Sequence, residues 1–327
     1  MKKSNRQAVS ERRRQQLDEL GTRDRRPTGV MIQVSARCNL GCLMCGYVGR
    51  TPNTGFIENE LFWRVLEECR SYGVDRVYME TAWGEPMLHP RIFELLAMAQ
   101  DFHVVLSTNV TPLTEERIAK LADMNLDTLQ MSFCGYDQTS YESTYVGAKF
   151  ERVVENLRTI LRYIPERSPN TQLLVNGVSL RFDMAFVKRT IDFLHVLGFD
   201  DHQIEIKLPN NFGGLYNGSP SEPTRGIHTY KDLDGAELEV CSVLLNNPGV
   251  YVDGTVTACG CLDNSSALVI GDIRRQGLRE MRYGDRFEAL LQAFASGDIS
   301  GLPLCSTCDV PYCSSRMINF VSPQTVP

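Results

Sequence analysis

From Val30 to Leu208, short apolar runs alternate with longer segments whose apolar residues recur every three or four positions. The short runs predict strands and the three-to-four spacing predicts amphipathic helices. The strands expected are Val30–Ser35, Arg76–Glu80, His103–Ser107, Thr128–Ser132, Leu173–Leu180 and Gln203–Leu208. Between them the helices expected are Glu58–Tyr72, Pro90–Gln100, Thr114–Met124, Phe150–Tyr163 and Met184–Leu197. Thr114-Glu115-Glu116 carries a helix start and Gly198 a helix stop. Strand–helix alternation implies parallel pairing, because each helix is the crossover that a parallel strand requires. Six strands with five helices are too few for an eightfold barrel. The fold class expected is therefore α/β, a partial (β/α)6 TIM-like barrel open on one side.

After Leu208 the pattern stops. Pro209 to Asp234 is rich in Gly, Asn, Pro and Ser and reads as a connection crossing the barrel mouth. From Cys241 a compact cysteine module follows, with a hairpin signal at Tyr251-Val252-Asp253-Gly254-Thr255-Val256. The organisation expected is a basic extension over 1–28, a barrel over 29–208, a connection over 209–240 and a small hairpin/helix module over 241–327. Repeats and low-complexity tracts are absent.

Composition adds exclusions. A formal charge of -6 over 327 residues gives no whole-chain signal for nucleic acid. The first 26 residues are the exception, with nine Lys/Arg against four Asp/Glu, including Arg12-Arg13-Arg14 and Arg25-Arg26. They lack an apolar core, so they are not a signal peptide. They read as a solvated terminus or as a docking arm for an anionic partner. No stretch approaches the ~20 apolar residues of a membrane span. Eleven cysteines, an odd number with no export signal, argue against a disulfide framework. Nine of them fall in three groups, at 38–45, 241–261 and 305–313, which points to metal. Cys69, inside a helical run, reads as a small buried hydrophobe.

Cys38, Cys42 and Cys45 form a C-x3-C-x2-C triplet directly after the first apolar run. Three thiolates can hold three irons of a [4Fe–4S] cube and leave the fourth open to a ligand. A strand feeding this loop puts it at the C-terminal end of the sheet, where barrel folds keep their chemistry. Zinc could use the same thiols, but usually with a fourth near ligand, and none is evident here. The second signal is Cys241-x17-Cys259 followed by Cys305-x2-Cys308, which suits a second cluster or a zinc ribbon.

The triplet, with Met44 before Cys45, resembles the radical S-adenosylmethionine (radical SAM) family, over roughly residues 28–315. The resemblance implies that the open iron chelates SAM and that an electron cleaves the sulfonium. The 5′-deoxyadenosyl radical so formed takes hydrogen from a C–H bond. It further implies SAM-contacting positions. Gly84-Glu85-Pro86 looks like the glycine-rich motif that accepts from the SAM amino group, with Trp83 in place of the commoner first glycine. Ser107 and Asn109 match positions near the ribose, and Ser132 and Arg181 positions near the sugar or carboxylate. Met44 and Tyr47 match positions lining the adenine. The second cysteine set resembles the twitch module, a shortened SPASM domain, with Cys241, Cys259, Cys305 and Cys308 as ligands of one auxiliary [4Fe–4S] cluster. Cys313 is left as a spare ligand or structural thiol.

The resemblance extends to epimerases of aminoglycoside sugars and to 2-deoxy-scyllo-inosamine dehydrogenase. It implies hydrogen abstraction from a carbohydrate-like substrate: a sugar, aminoglycoside, aminocyclitol or nucleoside. Epimerisation is the outcome expected, with Cys261 as hydrogen donor. Two-electron alcohol dehydrogenation through the auxiliary cluster stays open, as does Cys261 as a spare ligand. Peptide modification is disfavoured by the short segment ahead of the first strand. A non-catalytic iron–sulfur electron carrier would not need Gly84, Glu85 or Asn109. The expected partners are that substrate and an external reductant such as flavodoxin or ferredoxin, with no nucleic acid and no membrane, in the cytoplasm. The Asn210-Asn211, Tyr216, Asn217 and His228 stretch offers groups suited to a hydroxylated ligand.

Overall fold

In a computed structural model of the protein, the described residues are 11, 15, 17, 25–45, 55–79, 84–124, 126–180, 183–207, 211, 238–263, 266–312 and 320–321. Six parallel strands lie side by side in chain order: β1 (Val30–Ile32), β2 (Arg76–Met79), β3 (His103–Thr108), β4 (Thr128–Ser132), β5 (Gln172–Val178) and β6 (Ile204–Lys207). The helices between them are α1 (Asn59–Tyr72), α2 (Ile92–Met98), α3 (Glu115–Ala122), a short α4 (Gln138–Glu142), α5 (Phe150–Arg167) and α6 (Met184–Leu197). The partial barrel expected from the alternating pattern is thus the fold observed. The differences are local. A turn of 3-10 helix, Pro86–Leu88, precedes α2, with the Glu85 side chain accepting from the Met87 N–H. α5 continues past Pro165 to Arg167, and the Ser168 N–H closes it on the Ile164 carbonyl at 2.8 Å. α4 is too short to show a helical period.

Side-chain alternation separates the two faces of the sheet. Leu129, Met131, Leu173, Val175, Ile204 and Ile206 are buried in one core with Ile118, Leu121, Leu157, Ile160, Ile191 and Leu194 of the covering helices. The intervening residues Gln130, Ser132, Asn176 and Val178 are half-buried and line a cavity on the inner face. Thr114 caps α3, accepting from the Arg117 N–H, and α6 ends at Gly198, both as expected. Cys69 is fully buried in the core, also as expected.

The cysteine module is part of the same sheet. β7 (Gly249–Val250) and β8 (Thr255–Thr257) form the expected hairpin, and β9 (Val269–Asp272) adds to β8. Pairing of β7 with β1 is parallel, Met31 opposite Gly249 and Ile32 opposite Val250. The Met31 N–H donates to the Pro248 carbonyl and the Gln33 N–H to the Val250 carbonyl, both at 2.9 Å. At the other edge β10 (Phe320–Val321) pairs antiparallel with β6. The order is β10-β6-β5-β4-β3-β2-β1-β7-β8-β9, so segments from the C-terminal region take both edges of the barrel sheet. α7 (Ser242–Asn246), α8 (Leu278–Tyr283) and α9 (Asp285–Ser296) cover the added strands, with α8 against α1.

Two glycines let the cysteine loop approach this junction. A Cβ on Gly249 would sit 2.6 Å from the Gly260 Cα, and one on Gly260 would sit 2.9 Å from the Met31 Cβ. Gly249→Ala is therefore expected to push the Gly260 loop off β7 and destabilise the apo-protein by about 1–3 kcal/mol. Urea unfolding measures this, and a midpoint equal to wild type would contradict it.

Candidate functional site

The loop after β1 is fixed from three sides before any ligand is considered. Its start pairs with the segment before α1: Ala36 N–H to Gly55 carbonyl at 2.9 Å, Ile57 N–H to Val34 carbonyl at 3.0 Å. Its middle hangs on the loop after α4: Gly41 N–H to Val146 carbonyl and Leu43 N–H to Thr144 carbonyl, both at 2.9 Å. Its far side meets the segment after β2. The Glu85 N–H donates to the Arg37 carbonyl at 2.7 Å, and Gly84, at φ 110, lies so close to Ser35 that a Cβ would fall 1.9 Å from its carbonyl oxygen. Only glycine fits that position.

Cys38, Cys42, Met44 and Cys45 come together on one open cavity of about 220 Å³ with Gly84, Glu85, Pro86, Ser107, Asn109 and Ser132. These sites were expected from four separate loops and strand ends. Tyr47 and Arg181 lie outside the described residues. Thr108, Gln130, Tyr145, Asn176 and Val178 complete the lining. Asn176 faces Ser132 across β4 and β5, so period two on β5 was the signal that would have found it.

The Glu85 side chain is bonded to protein groups on two elements. It is buried, and its oxygens accept from the Thr108 hydroxyl at 2.7 Å, the Met87 N–H at 2.9 Å and the Asn109 N–H at 2.6 Å. Three of about four acceptor positions are thus taken by protein donors, leaving one toward the cavity. Burial nonetheless raises its pKa from 4.5 to about 7, against the opposing pull of those bonds. The carboxylate ties the loop after β2 to the end of β3. Asn109 likewise turns to the cysteine loop: its amide donates to Asn39 Oδ1 at 3.1 Å and lies 3.8 Å from Cys38 Sγ, and its oxygen accepts from the Thr111 N–H at 3.0 Å. Asn156 closes the arrangement, donating to the carbonyls of Val110 and Leu113 at 3.0 and 3.1 Å, and Val110 sits at φ 68. A β-branched residue there is strained, and Asn156 holds it.

Burial raises the Cys38 and Cys42 thiols, and for Cys42 the neighbouring Cys45 and Cys38 add to the effect. Three adjacent thiolates repel unless a cation is shared, and metal binding releases their protons. Three thiols on one loop, open on one side to a cavity of mixed lining, fit a cube with one iron left for a chelating ligand.

The second set also converges. Cys241, Cys259, Cys305 and Cys308 are all buried and line one small cavity of about 20 Å³ with Val243, Leu244, Leu262, Leu268, Leu304, Val310 and Pro311. Burial raises all four thiols, Cys305 to about 12. Four thiols in an aliphatic shell suit a fully ligated cluster; among the described residues no three Cys, His, Asp or Glu side chains are grouped so as to hold a single metal ion. Cys261 is half-buried and lines neither cavity, and Cys313 is outside the described residues. Asp263, also buried, fixes the loop, accepting from Thr257 Oγ1 at 2.6 Å and from the Ala267 and Leu268 N–H groups at 2.7 and 2.8 Å. Among the described residues no helix is long and apolar enough to cross a membrane.

Comparisons with known proteins match the two regions in which the cysteine sets lie. A Radical SAM superfamily model matches residues 32–182, and the SPASM model, an iron-sulfur cluster-binding domain, matches residues 241–309. A tungsten-containing aldehyde ferredoxin oxidoreductase cofactor-modifying protein of Pyrococcus furiosus is 28% identical over 32% of this chain and 30% of its own length. The chain spans less than two thirds of the length of such curated relatives. The crystal structure of BtrN in complex with AdoMet and 2-DOIA has a TM-score of 0.58 at 19% identity, covering 88% of this chain and 94% of BtrN. Streptococcus suis SuiB bound to precursor peptide SuiA has a TM-score of 0.66 at 15% identity, covering 92% of this chain and 73% of SuiB. At these identities the likeness is one of fold. The cofactors are a SAM-binding [4Fe–4S] cluster, an auxiliary cluster and SAM.

Thr108→Val keeps shape but removes one donor from a buried carboxylate, an expected loss of about 1–3 kcal/mol. Because the folded pKa of Glu85 is above its unfolded value, its contribution is fully present below pH 4.5 and is lost as pH rises through about 7. The deficit of the variant should therefore be larger on the alkaline side. Urea titrations of the apo-proteins on either side of that window measure it, and a pH-independent difference would contradict it.

Proposed function

We propose that this chain, whose residues 32–182 match a Radical SAM superfamily model and 241–309 a SPASM model, is a radical SAM enzyme that inverts one carbon of a polar, carbohydrate-like small molecule. The observation that carries the reading is the separation of the two thiol sets. Cys38, Cys42 and Cys45 open on a cavity lined by hydroxyl and amide groups, whereas Cys241, Cys259, Cys305 and Cys308 are closed in an aliphatic pocket. The open site suits chemistry on a ligand and the closed site suits electron transfer alone. The SAM-loaded cluster supplies reductive cleavage of the sulfonium and hydrogen-atom abstraction.

The chain's own groups then have defined tasks. Gln130, Ser132 and Asn176 offer hydrogen bonds to a hydroxylated ring entering the inner face of β4 and β5. Cys261 is half-buried, two residues beyond the buried Cys259, and does not line the four-thiol pocket. In the epimerase reading it gives its hydrogen atom to the substrate carbon from the face opposite abstraction, although it does not line the three-thiol cavity. The sulfur radical left behind takes back one electron, supplied by the external reductant, and one proton from solvent.

Dehydrogenation is the second reading, favoured by the closed four-thiol pocket and by the build shared with BtrN, which was crystallised with AdoMet and 2-DOIA. Anaerobic turnover in deuterated water with SAM, dithionite and a panel of aminocyclitols and aminoglycosides separates the two. Epimerisation gives an isomer carrying one solvent deuterium, and Cys261→Ala gives 5′-deoxyadenosine without the isomer. A product lighter by two hydrogens, formed equally by Cys261→Ala, would replace epimerisation with dehydrogenation. No 5′-deoxyadenosine from any combination would contradict the enzyme reading altogether.

A further inference from the structure

The open seam of a six-stranded barrel lies between β1 and β6, and segments from the C-terminal region pair with both sides of it, β7 on β1 and β10 on β6. Between those two attachments in the chain lies the Cys305-x2-Cys308 loop. One further contact ties it to the barrel. Asn211 and Asp309 are both buried and bond reciprocally. The Asn211 N–H donates to both Asp309 carboxylate oxygens, at 3.2 and 3.1 Å, and the Asp309 N–H donates to Asn211 Oδ1 at 3.1 Å. The Asn211 amide also donates to the Thr307 carbonyl at 2.6 Å. Backbone groups on both sides of Cys308 are therefore held by one side chain 96 and 98 positions earlier in the chain.

Asn211 stands four residues past Lys207, the last residue of β6. Four residues reach at most about 14 Å. The clamp therefore keeps the Cys305–Cys308 loop close to the C-terminal end of β6, the end at which the three-cysteine loop leaves β1. We propose that Asn211 and Asp309 are positioning residues for the auxiliary cluster, a latch that holds two of its four ligands across the barrel seam. This rests on the reading that Cys241, Cys259, Cys305 and Cys308 hold a cluster. The latch acts on the ligand loop through backbone groups, so losing it should release the auxiliary cluster while sparing the SAM cluster, whose loop is fixed by β1, Gly84 and the loop after α4.

The full chain, reconstituted anaerobically, tests it with iron and sulfide analysis, electron paramagnetic resonance of the reduced protein, and SAM cleavage by dithionite. Wild type is expected to hold about 8 irons. Asn211→Ala and Asp309→Ala should each fall to about 4, keeping the SAM-cluster signal and SAM cleavage. Asp309→Asn retains a carbonyl acceptor for the Asn211 N–H and should stay near the wild-type value. Asn211→Ala with wild-type iron and an unchanged auxiliary signal would overturn the latch while leaving two clusters in place. Loss of both clusters in both alanine variants would also overturn it, because the contact would then support the whole fold. Wild type holding about 4 irons would instead overturn the auxiliary-cluster reading, and the latch with it.

Discussion

The parallel pairing of β1 with β7 is the constraint from which the rest follows. β1 delivers the three-cysteine loop at its end, and β7 begins the hairpin from which Cys259 is hung. Two backbone hydrogen bonds at 2.9 Å, with Gly249 and Gly260 small enough to let the second loop press on Met31, fix both loops to one edge. A hinge between two modules would let the distance between the thiol sets vary. A shared sheet does not, because sliding the strands by one residue would turn every side chain to the wrong face.

Around that edge the structure uses buried polar groups where a wholly apolar core would leave loops undetermined. Glu85 joins the ends of β2 and β3, Asn156 holds Val110 at positive φ, Asp263 shapes the turn after Cys261, and Asn211 with Asp309 secures the last ligand pair. Each is satisfied by protein donors or acceptors, the condition under which such groups specify a conformation instead of weakening it. The open three-thiol site and the closed four-thiol site are thus two outcomes of one principle. Loops that cannot move present thiols at fixed positions, toward an open cavity in one case and into aliphatic packing in the other.

Much of this was legible in the chain. The strands from Thr128–Ser132 to Gln203–Leu208 carry enough period-two contrast to be read, and α1, α3 and α6 enough helical contrast. The cysteine spacings carried the chemistry because so few arrangements of thiols leave an iron open. Other parts carried no local signal. β7 was legible only as part of its hairpin; its pairing with β1 and that of β10 with β6 join strands of two residues to partners far away in sequence. The clamp at Asn211 sits in a stretch that reads as a loop. The Asn109 amide spans Asn39 and Cys38, a pairing decided by how three loops meet.

The most direct measurement is iron and sulfide per chain, with Mössbauer spectra, for anaerobically reconstituted wild type and two multiple variants. One variant replaces Cys38, Cys42 and Cys45 by alanine, and the other replaces Cys241, Cys259, Cys305 and Cys308. Two separate cubes require each variant to keep about 4 irons with its own cluster spectrum, and only the second to cleave SAM. Loss of all iron in the first variant, with the second indistinguishable from wild type at about 4 irons, would contradict it. The closed pocket would then be a zinc or structural site.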